Sequence, residues 1–72
     1  MTEIPMLSVV ALLEDIPEQG LSRGQVGTVV EGLDPGAYEV EFSDDSGQTY
    51  ASLGLRCDQL MPLHYQPSRH AA

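Results

Sequence analysis

The stretch from Arg23 to Phe42 limits what this chain can fold into more than any other. It reads Arg-Gly-Gln-Val-Gly-Thr-Val-Val-Glu-Gly-Leu, then Asp34-Pro35-Gly36, then Ala-Tyr-Glu-Val-Glu-Phe. Val26 to Leu33 is rich in β-branched residues, and Ala37 to Ser43 alternates apolar and polar residues without a break. Side chains of a strand point alternately to its two faces, so Tyr38, Val40 and Phe42 share an inner face while Glu39 and Glu41 turn to water. Between the two strands, Pro35 fixes one φ angle and Gly36 supplies a positive one, which makes a tight turn. An all-β fold follows.

The rest of the chain fits that frame. Met6 to Leu13 is apolar apart from Ser8, and its length and valines favour a strand over a buried helix. Pro17 then keeps Ile16 out of helical geometry. Glu14 to Gly24 forms a long first loop, with Ile16 and Leu21 as apolar anchors. Gly27, inside the second strand, marks a bulge, a bend or a close backbone approach. Asp44-Asp45-Ser46-Gly47 is a polar turn that lacks the further oxygens of a calcium loop. Gln48 to Leu55 makes a fourth strand, with Ala51, Leu53 and Leu55 inward and Tyr50 and Ser52 outward. Arg56 to Gln59 has room for one 3-10 turn, and Leu60 to Leu63 closes as a fifth strand. This order of short strands, a long first loop and a 3-10 turn before the last strand resembles an SH3-like barrel, so the expected architecture is a small five-stranded SH3-like barrel over residues 6–64, with flexible termini at 1–5 and 65–72. Closure or near-closure of so small a sheet would remove its exposed edges.

A chain of 72 residues holds one domain and one core. Its single cysteine, Cys57, excludes an internal disulfide and a cysteine-based zinc site. His64 and His70 fall at or beyond the end of the last strand without nearby carboxylates, so neither metal nor cofactor is expected. No basic segment precedes an apolar run, and Val9 to Leu13 is too short to span a bilayer, which points to a cytoplasmic protein. Eleven acidic residues face three arginines and no lysine, a formal charge of −8. Nucleic-acid binders neutralise phosphates with Lys and Arg, so this balance disfavours them, and it disfavours anionic membranes. It suits solubility and a basic protein partner.

Strand order and motifs carry a resemblance. Arg23-Gly24-Gln25-Val26-Gly27-Thr28-Val29-Val30, followed by Tyr38-Glu39-Val40-Glu41-Phe42, is similar to the Gly-x-x-Gly-x-Val motif of KOW-type SH3-like barrels. With Leu12-Leu13-Glu14-Asp15-Ile16-Pro17 and Gly20-Leu21 added, the pattern resembles a family of small bacterial proteins classed as a domain of unknown function. That resemblance covers about Val9 to Leu63 and implies the fold but no catalytic residues. By analogy, some such families include immunity partners of toxin-like proteins, and other SH3-like barrels serve as small subunits beside metalloenzymes. The RNA-binding role of KOW-type relatives is not implied, because the corresponding loops here carry Glu14, Asp15, Glu18, Asp34, Asp44 and Asp45.

The functional expectation is a non-catalytic, acidic protein-interaction module. Its candidate contacts are Glu14, Asp15 and Glu18 in the first loop, Glu39 and Glu41 on the third strand, Asp44 and Asp45 in the turn, and Tyr50 as an apolar anchor. An immunity or antitoxin-type partner of a basic protein is its sharpest form, and an accessory subunit of a larger enzyme is the alternative. A single-stranded nucleic-acid-binding barrel is a further alternative that the charge disfavours. Self-association through an uncovered sheet edge is a structural option. Nothing pairs a carboxylate with a histidine, so no enzymatic activity is expected.

Overall fold

The computed structural model describes residues 4–33 and 35–67. Five strands follow one another: β1 (Val9–Leu12), β2 (Val26–Leu33), β3 (Ala37–Ser43), β4 (Thr49–Arg56) and β5 (Leu60–Pro62). Two 3-10 turns, at Pro17–Gln19 and Cys57–Gln59, complete the elements, the second immediately preceding β5. All strand pairs are antiparallel, and the sheet order is β4-β3-β2-β1-β5. This is the expected small all-β fold of five strands, with a long first loop and a 3-10 turn before the last strand.

The inner face follows from register. Val29 lies opposite Val40, and Gly27 lies opposite both Phe42 and Val10. Leu12 pairs with Leu60, Val40 with Leu53, and Tyr38 with Leu55. Val10, Val29, Val40 and Phe42 are fully buried, and Leu12, Leu21, Leu55 and Leu60 nearly so. Each such side chain contributes about 1.5–3 kcal/mol by leaving water, so these few residues carry most of the stability available to so short a chain. Tyr38 is half-buried against this core, and its hydroxyl accepts a hydrogen bond from the Ile4 amide at 3.0 Å. Ile4 is itself buried. Ile4 falls within the lead-in 1–5 set apart by the sequence; residues 1–3 lie outside the described residues, as do Asp34 and 68–72 with His70.

Several local features depart from the expected ones. β1 is shorter than the apolar run Met6 to Leu13, because Met6 and Leu7 turn before the strand begins. Leu7 has a φ of 66°, and its amide donates to the Val29 carbonyl at 2.7 Å. The first loop contains a 3-10 turn at Pro17–Gln19, closed by Gly20 at a φ of 70° and clamped by reciprocal Ile16–Leu21 backbone bonds. Leu21 is buried and Ile16 packs on the core, so both anchors act as predicted. Gly27 marks a close approach, while the bulge in β2 falls between Val29 and Glu31 instead. Among the described residues the sheet does not close by strand pairing: β4 and β5 stand at opposite ends of the order and leave two edges.

The β3–β4 turn is built as its composition requires. Asp44 Oδ1 accepts from the amides of Ser46 and Gln48 at 2.9 and 3.0 Å, and Gly47 takes a φ of 82°. Asp44→Ala is expected to cost about 1 kcal/mol, since each such exposed bond is worth roughly 0.5–1.5 kcal/mol net and water replaces part of the loss. Urea unfolding of the variant measures it; an unchanged midpoint would show that Gly47 alone sets the turn.

Candidate functional site

The strand alternation places Glu39 and Glu41 on the outer face of β3, where neighbouring strands half-cover both. Glu39 lies opposite Glu31 on β2 and Gly54 on β4, while Glu41 lies opposite Thr28 and Ser52. The Ser52 hydroxyl donates to Glu39 Oε2 at 2.9 Å. Three carboxylates thus share one sheet face, and Glu31 was not among the residues the sequence singled out. The bulge explains the omission. In unbroken register Val30 would pair with Glu39 and Glu31 with Tyr38, turning Glu31 into the core; with Val30 bulged out of the ladder, Glu31 comes into line with Glu39. The adjacent valines Val29 and Val30, followed at once by an acid, were the available signal.

Although Arg56 alternates with Ser52 and Gly54 on the same face of β4, no cation pairs with this row among the described residues. Their one ion pair is Arg56 with Asp58, at 3.0 Å between two exposed side chains. Like charges directly opposite on adjacent strands are destabilising. Glu31→Gln is therefore expected to stabilise the chain by a few tenths of a kcal/mol at low salt, with the gain fading as salt screens the pair. Thermal melts at two ionic strengths check this; destabilisation at low salt would contradict it.

The other candidates divide between structural and uncommitted roles. Asp15 Oδ1 accepts from the Arg23 amide at 2.8 Å and so shapes the first loop. Glu14 Oε2 accepts from Gln59 Nε2 at 2.9 Å, tying that loop to the turn before β5. Asp44 is occupied in its own turn. Glu18 and Asp45 are exposed and make no side-chain bond. Tyr50 is exposed over about half its surface, but it does not simply point outward. A register shift in the β3–β4 ladder takes it out of the alternation. Its ring lies 6.5 Å from that of Phe42, and its hydroxyl accepts from Gln25 Nε2 at 2.8 Å. The first loop and the β3–β4 turn are thereby linked at one end of the sheet, while the carboxylate row occupies the outer face between the two ends.

The outer face has a second half that composition did not reveal. Ala11 on β1 pairs with Val26 on β2 and with Met61 on β5. Val26 and Met61 are each exposed over nearly half their surface, and they bury Ala11 between them. β1 therefore presents apolar residues on both faces, which is why its sequence runs apolar without alternating. An apolar strip on β2-β1-β5 thus adjoins the acidic row on β2-β3.

Residues 6–62 match the family described as Domain of unknown function (DUF4926). The chain belongs to that family. The matched span takes in all five strands, so both halves of the outer face lie within the DUF4926 domain. No curated protein matches the chain, and no solved structure does. Among the described residues, no group of three or more His, Cys, Asp or Glu side chains is disposed to hold a metal ion. His64 is exposed beyond β5, and Cys57 is half-buried against the core. No helix among the described residues is long and apolar enough to cross a membrane.

Proposed function

We propose that this DUF4926 chain is a non-catalytic, cytoplasmic module that binds a basic protein through its outer sheet face. The observation that carries the reading is the row Glu31, Glu39 and Glu41, held side by side with no cation paired to it among the described residues and flanked by the apolar strip around Ala11. Keeping like charges adjacent opposes folding, and a partner that supplies lysines or arginines reverses the sign of that interaction. Apolar contact at Val26 and Met61 would add affinity, while the carboxylates would set specificity and speed encounter. An immunity or antitoxin-type role against a basic protein is the sharpest form of this reading. A surface this acidic repels phosphate, so RNA is the wrong partner.

Affinity capture from native lysate tests the reading, with wild-type chain and a Glu39→Lys/Glu41→Lys chain as baits. A basic protein retained only by the wild type, and released as salt is raised, is the expected result. Equal capture by the two baits, or nucleic acid retained at roughly 50 mM salt, would overturn it.

A further inference from the structure

β4 stands at one margin of the sheet and, among the described residues, pairs with β3 alone. Natural sheets blunt their margins with short strands, proline, charge or bulges, because an open edge templates pairing with another chain. β5, at the other margin, shows that protection: it is three residues long and ends on Pro62. β4 is eight residues long, has no proline or lysine, and carries its one charge at its last residue, Arg56. Its bulge falls at Tyr50, beside the turn, so the ladder runs in regular register from Ala51 to Arg56. Every second residue along that stretch turns its amide and carbonyl away from β3.

Two of the outward side chains of the same stretch, Ser52 and Gly54, are small, and the third, Arg56, is paired with Asp58. Ser52 and Gly54 are exposed and lie directly beside Glu41 and Glu39. Strands in a sheet are about 4.8 Å apart, so a strand added beyond β4 would lie about 10 Å from β3. A lysine or arginine stem on that strand can cross Ser52 and place its charge at Glu41; above Gly54 it shares the space with Leu33 Cδ1, which lies 3.2 Å from where a β-carbon at residue 54 would sit, on its way to Glu39. A larger residue at either position would block the path.

We infer that the open margin of β4 accepts an extended, basic segment of the partner protein as a sixth antiparallel or parallel strand, with Lys or Arg at alternate positions above Ser52 and Gly54. The inference rests on the basic-partner reading and adds to it the place and the backbone geometry of binding. Main-chain bonds to β4 supply affinity, and the alternate cations select the segment. A second copy of this chain is the wrong occupant, because pairing two β4 edges would bring together two chains of formal charge −8.

The test uses the full chain and a synthetic peptide of about nine residues that alternates lysine with threonine. Its controls are the glutamate-for-lysine peptide and two forms N-methylated along one edge or the other. Amide chemical shifts and hydrogen exchange report where each binds. The expected result is lysine-dependent, salt-sensitive binding that protects amides within residues 49–56. Methylation of one edge only should weaken it by roughly tenfold or more, and Ser52→Lys should weaken it similarly. Lysine-dependent binding that maps to the β1–β5 side, or that ignores methylation of both edges, would overturn the β4 inference and leave the basic-partner reading standing. Absence of any lysine-dependent binding at low salt would overturn both. Protection of β4 in the chain alone, rising with its concentration, would assign the edge to a second copy and overturn the inference.

Discussion

Phe42→Ala is expected to destabilise the chain by about 3–5 kcal/mol, more than any other single truncation of its core. Phe42 is the largest of the fully buried side chains, and it lies opposite Gly27 on one side and Ala51 on the other. Neither neighbour has the volume to refill the space. Truncating a core phenylalanine costs about 3–5 kcal/mol, as lost transfer energy plus the cavity left behind. A domain of 72 residues has a total stability of roughly 4–11 kcal/mol at 0.05–0.15 kcal/mol per residue. The substitution therefore consumes about a quarter of that stability at the least and all of it at the most. Phe42→Leu, which keeps most of the volume, should cost only about 1–1.5 kcal/mol and remain folded. Far-UV circular dichroism through a urea titration gives both values. A loss below about 1 kcal/mol for the alanine variant would mean that the sheet collapses around the gap, and that Phe42 is not the keystone of packing described above.

Gly27→Ala should destabilise nearly as strongly, although it adds one methyl group. A β-carbon at residue 27 would sit 2.7 Å from Val40 Cγ1, 2.9 Å from the Glu41 carbonyl oxygen and 3.0 Å from Phe42 Cδ2. A side chain can rotate away, but the Glu41 carbonyl belongs to the β3 ladder and can move only with its strand. Overpacking of this kind costs about 1–3 kcal/mol, and more when backbone must shift. Gly32→Ala is the matched control in the same strand, because its added β-carbon meets nothing within 4 Å and its φ is not positive. There the lost flexibility of the unfolded chain should make alanine neutral, or stabilising by about 0.5–1 kcal/mol. Opposite signs for the two substitutions are the result to look for; equal effects would show that β2 and β3 can separate at Gly27 without penalty.

These two cases mark where sequence reasoning reaches and where it stops. Gly27 was legible as a special backbone position, but a bulge and a close approach call for the same residue, and three-dimensional contact had to separate them. The β3 alternation identified Val40 and Phe42 as core and Glu39 and Glu41 as outer without any coordinates. Tyr50 shows the opposite case. Alternation sent it outward, whereas the shift between Phe42 and Ser43 in the ladder set its ring near Phe42 and its hydroxyl on Gln25. Of the acidic candidates, Asp15 and Asp44 proved to be occupied in shaping a loop and a turn, the ordinary local work of aspartate.

By itself, the chain of residues determined the class of fold, the boundaries of β2 and β3, the inner face and the sign of the surface. Those properties are local or additive: a period of two, a proline next to a glycine, a sum of charges. Tertiary structure alone decided that Glu31 stands beside Glu39, that Val26 and Met61 cover Ala11, that Ile4 joins the core, and that β4 keeps an open margin. Each of these depends on register and on which strands become neighbours. A single inserted residue moves every side chain beyond it to the other face, and nothing in a short window of sequence specifies where that insertion falls.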